Sequence, residues 1–266
     1  MTRPPAASFS QARKLSDLGF TMIEMLVAMA VLALLVVLIA QIIGMTTSSV
    51  SSSSRKLDGV TETRFALDRL GVDWAGRLDR SDVDHRFTKA DGNDDISFYS
   101  EVDGYQGARK LSVVGYRVQS VDPERMYQME RGVQGTDWST TAPLIFGSQP
   151  LPIIPNADYE VLSEGVLRLE FCYLKTDGSL SNTAKPDLSD ASALVVAVAV
   201  LDSTSRKIVT DAQLQLLAAS LPDVAEGEDP IKRWHDAISG GQIPATVPEK
   251  ATQALRFYQR YYEIYH

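Results

Sequence analysis

The 266-residue chain contains one cysteine and three histidines. A lone thiol, Cys172, excludes an intramolecular disulfide and a cysteine-rich zinc site in any compartment. It sits in the alternating run "RLEFCYL", which reads as a strand with a buried, inert thiol. The histidines, His85, His235 and His266, have no metal-ligand companion at helical spacing. Asp84 beside His85 reads as a solvated turn rather than an acid–base pair. No H-E-x-x-H, G-x-S-x-G, phosphate-loop or dinucleotide fingerprint is present. The sequence therefore offers no catalytic residues, no metal ligands and no cofactor site. Basic charge is also scarce: the net charge is −8, the pI is near 5.0, and no basic patch follows residue 20. Nucleic acid is therefore not an expected partner. No small-molecule substrate is expected either.

The absence that says most is local. Residues 25–40 contain no charged side chain. Before them lies a short polar segment carrying Arg3, Arg13 and Lys14 against Asp17. A basic flank followed by an apolar run is an export pattern that keeps the positive side cytoplasmic. From Phe20 to Met45 a helix would be about 39 Å long at 1.5 Å per residue, enough to cross a hydrocarbon core of about 30 Å. The run is longer than the apolar core of a secretory signal, and no small-residue cleavage site ends it. Glu24 is the exception within this apolar stretch, since a carboxylate near the start of a membrane helix costs free energy without a partner or a function.

Gly19-Phe20-Thr21-Met22-Ile23-Glu24 resembles the prepilin signature of type IV pilins and type II secretion pseudopilins. The shared features are the basic leader, the Gly-Phe junction, glutamate at the fifth position from Phe20, and an uncharged helix. The resemblance implies that a prepilin peptidase cuts between Gly19 and Phe20 and methylates the new amino terminus of Phe20. It also implies that Glu24 is an assembly residue: a buried amino group on one subunit needs a counter-charge from its neighbour. Other pilin-like subunits are then the expected partners. The expected location is the bacterial inner membrane, spanned once, with the remainder of the chain in the periplasm.

Residues 48–54, "SSVSSSS", interrupt the apolar pattern. They read either as a flexible joint or as a polar stretch of helix surface. Helical periodicity then resumes, with Leu57, Val60, Leu67, Leu70, Trp74 and Leu78 on one stripe and Asp58, Glu62, Arg69, Asp73 and Arg77 assigned to the other side. "ADGNDDIS", residues 90–97, reads as a solvated turn. The spacing of Asp91 to Asp95 leaves open an oxygen-ligand calcium loop, although the closing glutamate is missing.

Strands are expected in "ISFYSE" (96–101), "KLSVVGYRVQSVD" (110–122), "RMYQMER" (125–131), "GVLRLEFCYLK" (165–175) and "SALVVAVAVLD" (192–202). Asp122-Pro123-Glu124 should turn the second of these into the third as a hairpin. Proline-rich residues 132–164 read as irregular. After Asp202 a helix capped by Thr210 or Asp211 is expected in "TDAQLQLLAAS". "ALRFYQRYYEIYH", following Pro248, reads as a terminal helix with aromatic residues at spacings of three and four, either packed on the domain or presented to another subunit.

The fold class expected is α+β: an apolar helix leading into an amphipathic helix on an antiparallel sheet, with a helical C-terminal extension. The expected divisions are 1–19 (leader), 20–47 (membrane helix), 48–80 (linker and amphipathic helix), 81–202 (β-rich head) and 203–266 (extension). The order of elements also resembles the J class of minor pseudopilins through "RFALDRLGVDWAGRLDR", "LSVVGYRVQ…MYQMERG", "LSEGVLRLEFCYLKTDG" and "ASALVVAVAVLD". Ser192-Ala193-Leu194 stands where that class has Leu-Pro, and the tail after Asp202 is longer than the class pattern. Two functions remain in view: an assembly subunit of a pilus-like machine, and an envelope enzyme tethered by a pilin-like anchor. Within the first, the machine is a secretion pseudopilus, a type IV pilus or a DNA-uptake filament.

Overall fold

A computed structural model describes residues 21–78, 83, 85–104, 110–119, 122, 125–137, 151–183 and 188–264. The chain divides into two units, Met1–Ser52 and Ser53–His266. Helix α1 (Met22–Ala75) contributes its first part to one unit and its last part to the other. In the first unit Met22–Met45 is long and apolar enough to cross a membrane, and none of it is buried. The backbone of residues 48–54 is helical.

The second unit holds two antiparallel sheets. The first runs in chain order: β1 (Arg86–Thr88), β2 (Asp95–Ser100), β3 (Ser112–Val118), β4 (Gln128–Gly135) and β5 (Tyr159–Glu164). β3 and β4 pair as expected from the turn between them, with Gly115 opposite Gly132. Residues 132–164, read as irregular, include the end of β4 and all of β5. The glycine pair explains the placement of Tyr159: a Cβ on Gly132 would lie 2.8 Å from its ring, and one on Gly115 would lie 2.9 Å from its hydroxyl.

The second sheet has the order β7-β6-β8-β9, from β6 (Val166–Lys175), β7 (Leu180–Ser181), β8 (Ala191–Leu201) and β9 (Leu255–Glu263). Between β8 and β9 the chain forms α2 (Ser203–Arg206), α3 (Asp211–Ala219), α4 (Pro230–Ser239) and α5 (Glu249–Ala254). α3 begins at Thr210, whose hydroxyl accepts from the Gln213 amide while the Gln213 side chain accepts from the Thr210 amide. That reciprocal cap satisfies two of the amides a helix start leaves open.

β8 has apolar packing on both faces. Leu194, Val196, Val198 and Val200 join one core with Leu67, Leu70, Trp74, Phe98 and Tyr116. Ala197, Ala199 and Leu201 join another with Leu167, Leu214, Leu217 and Trp234. A strand buried on both faces reads as a continuous apolar run, which accounts for "ALVVAVAVL".

The terminal element differs from the helix expected. A helix does follow Pro248, but it stops at Ala254, and Leu255–Glu263 is the strand β9. The spacing of four, Phe257 to Tyr261 and Tyr258 to Tyr262, also fits a period of two. Tyr258 and Tyr262 pack against the core that contains α1, while Phe257 packs against the core of the helical excursion. Sheet pairing decides between the readings, because the backbone groups along β8 would otherwise be buried without partners. All nine residues of β9 pair with β8 without a register shift.

Candidate functional site

Gly19 and Phe20 lie outside the described residues, and Thr21 is the first residue described. Glu24 sits in the first turn of α1. The Thr21 amide and hydroxyl each donate to Glu24 Oε2 at 2.9 Å, and the Glu24 amide donates to Thr21 Oγ1 at 3.3 Å. Thr21-Met22-Ile23-Glu24 is thus a capping box that starts the helix. From Met25 to Met45 the side chains are exposed and apolar apart from Gln41, with Leu26 at 70% and Ile42 at 63% exposure. In water such a surface is costly, so this segment is suited to lipid or to other apolar helices.

In the second unit the residues with site-like chemistry are engaged with one another. Asp73 was assigned to the polar side of the amphipathic stripe, but it is fully buried. Arg131 grips it with two hydrogen bonds, Nε to Oδ2 at 2.6 Å and one Nη to Oδ1 at 3.1 Å, and the Tyr116 hydroxyl donates to Oδ2 at 2.5 Å. Burial and the neighbouring Asp73 carboxylate push the Tyr116 phenol well above its usual range. Asp73 lies three residues from Leu70 and next to Trp74, inside the apolar arc of the helix. That position, and not its charge, is the sequence signal for its burial. The network fastens the last turns of α1 to β3 and β4.

The 90–97 turn is also not simply solvated, because Asp94 is buried. Lys89 Nζ donates to Asp94 Oδ2 at 2.5 Å, to Glu170 Oε2 at 2.8 Å and to the Phe171 carbonyl at 3.1 Å. Asp94 Oδ2 also accepts from the Phe171 amide at 2.8 Å, and Asn93 Oδ1 accepts from the Leu169 amide at 2.7 Å. Arg168 bridges Glu170 and Asp223, and Gly92 donates its amide to Asp223. An ammonium therefore occupies the position between the two buried carboxylates. Burial, reinforced by the charge of Glu170, pushes the Asp94 carboxyl up to about 7 against the opposing pull of Lys89. Among the described residues no group of three His, Cys, Asp or Glu side chains is arranged to hold a metal ion.

Cys172 is buried, and burial pushes its thiol up to about 12. His235 packs edge-on against Phe257 with ring centroids 4.9 Å apart, while Asp84 and His266 lie outside the described residues.

Taken by themselves, the parts define a chain with an exposed apolar helix of membrane length and an α+β unit whose polar clusters are internally paired. Residues 15–40 match the prokaryotic N-terminal methylation motif. No curated protein matches the sequence. Among solved structures, a type IV-like pilin from Thermus thermophilus aligns with 76% of this chain and 92% of its own, at 12% identity and a TM-score of 0.39.

Proposed function

We propose that this chain is a non-enzymatic, membrane-anchored subunit of a pilus-like filament, processed by a prepilin peptidase between Gly19 and Phe20 and methylated at Phe20. The observation that carries the reading is the methylation motif over residues 15–40 joined to an exposed apolar helix that retains one carboxylate, Glu24. In a filament the apolar helices bundle, and Glu24 pairs with the amino terminus of a neighbouring subunit. The segment resides in the bacterial inner membrane before assembly, with the α+β unit in the periplasm. The size of that unit favours a minor subunit, of the pseudopilin kind, over the repeating one. Neighbours would be other pilin-like subunits, docked through the helix and through loops of the α+β unit.

Glu24→Ala tests the assembly role. Leader cleavage and membrane insertion should persist, because removing a carboxylate from an apolar helix eases insertion. Incorporation into sheared filaments should fall sharply, because truncating one member of a buried ion pair costs on the order of 3–5 kcal/mol. Wild-type incorporation of the variant would refute the role.

A further inference from the structure

A cleft of about 460 Å³ opens on the α+β unit between the 90–95 turn, the end of β3, the start of β6 and α3. Ligand sites commonly have volumes of about 300–1,000 Å³. Part of the lining is apolar and buried, from Val118, Tyr127, Leu167 and Ala218. The rest is polar and includes Asp91, Arg168 and Gln215.

Tyr127 is held at φ 62°, the one non-glycine residue in the left-handed region among those described. Its amide donates to the Gln119 carbonyl at 3.0 Å and its carbonyl accepts from the Val166 amide at 2.9 Å, so neighbouring main chain on both sides fixes that conformation. Strain that the surroundings over-determine is concentrated at binding sites. Arg168 carries unused hydrogen-bonding capacity to the same place. It is 4% exposed, and both of its side-chain hydrogen bonds leave from Nη2, to Glu170 and Asp223. Its Nε is buried without an acceptor, and its Nη1 lies toward Gly92, 3.6 Å from where a Cβ would stand. A charged donor left unmade in a buried place is costly.

The charges around the cleft select what can fill it. Arg168 is balanced by Glu170 and Asp223, Asp94 by Lys89, and Arg117 by Glu130. Asp95 lies in the fields of Arg86 and Arg117. Asp91 is exposed and is paired with none of these cations. An anionic ligand would therefore meet guanidinium groups already neutralised and the bare carboxylate of Asp91, while a cationic one would meet two arginines. An uncharged ligand with a carbonyl for Arg168 and an N–H for Asp91 or Gln215 meets neither obstacle.

We propose that the cleft receives an uncharged peptide segment of a neighbouring chain, with one apolar side chain against Tyr127 and Leu167 and a main-chain carbonyl on the Arg168 guanidinium. The proposal rests on the reading of the chain as an assembly subunit, whose neighbours dock in part through the α+β unit. A peptide main chain supplies the carbonyl and the N–H together, and its charge is zero.

N-acetyl-leucine amide is a small probe with these groups. With the full-length protein in lipid nanodiscs, saturation-transfer NMR should show the probe bound. Ala219 lines the cleft from the exposed side of α3 and belongs to none of the apolar cores. Ala219→Trp should fill the space and abolish the signal. Arg168→Lys keeps a cation beside Glu170 and Asp223 but removes the guanidinium donors, and should weaken binding about tenfold. N-acetyl-leucine, with a carboxylate in place of the amide, should bind more weakly than the amide. Absence of a signal with the unaltered protein, an undiminished signal in either variant, or tighter binding of the carboxylate overturns the proposal. None of these measurements involves leader cleavage or filament incorporation, so the cleft and the assembly role fail separately.

Discussion

Asp73 keeps an arginine and a tyrosine satisfied where water does not reach, so its removal should be felt beyond the loss of one contact. Asp73→Ala leaves Arg131 charged, 5% exposed and without its bidentate partner. Breaking a buried pair in this way costs about 3–5 kcal/mol, while replacing both partners with apolar residues is often neutral. The single variant should therefore lower the denaturant midpoint of the α+β unit strongly, and Asp73→Leu with Arg131→Met and Tyr116→Phe, which removes all three polar partners together, should recover much of the loss. Asp94 gives a prediction in pH. Its carboxyl is raised from 3.8 to about 7, so the folded chain holds a proton that the unfolded chain releases near pH 4. Its contribution to stability is present in full below that value and is lost as pH rises through 7. Melting temperature measured across this window should show that decline, and Asp94→Asn should flatten it. Asp73 carries no sequence sign of its role because its partners are distant in the chain, Tyr116 on β3 and Arg131 on β4; Asp94 has a near partner in Lys89, but the groups that enclose the pair, Glu170 and Phe171, lie on β6. Glu24 stands out in the sequence because its oddity is local, one charge heading a run that has no other.

At the scale of elements, the strands were readable wherever apolar or aromatic residues filled most positions, as in β3, β6 and β8. β1 and β7 are too short to carry a period, and β5 has only one buried residue in six. β9 resembles a helix in sequence because its aromatic pairs four residues apart share one face in a helix and in a strand alike, and only pairing with β8 decides between them. Its packing on α1 is close enough to test. A Cβ added to Gly71 would lie 2.7 Å from the Tyr262 ring, and the Tyr262 hydroxyl donates to the Leu67 carbonyl at 2.5 Å. Gly71→Ala should therefore cost about 1–3 kcal/mol as an overpacked contact, despite alanine's better helix propensity. A stabilised variant in chemical denaturation would show that β9 does not press on the helix there.

For the whole molecule, the two units divide the work between them. The apolar first part of α1 suits lipid or other apolar helices, and under the proposed function its single carboxylate, Glu24, would make a helix bundle selective about register. The α+β unit supplies surface: its buried charges are mutually paired, and its thiol is held in the unreactive protonated form. Fold class and the N-terminal motif were legible because each depends on patterns within a few dozen residues. The helical excursion between β8 and β9 was only partly legible, since half of α4 is polar and its place in the fold depends on Trp234 reaching the far face of the sheet. The reading of the whole chain stands on the junction between Gly19 and Phe20. Intact-mass and N-terminal sequence analysis of the protein recovered from membranes containing a prepilin peptidase tests it most directly. The account predicts a chain lacking the first 19 of its 266 residues, beginning at Phe20 and one methyl group heavier than that sequence. A chain that keeps Gly19, begins at another residue or lacks the methyl group would contradict it.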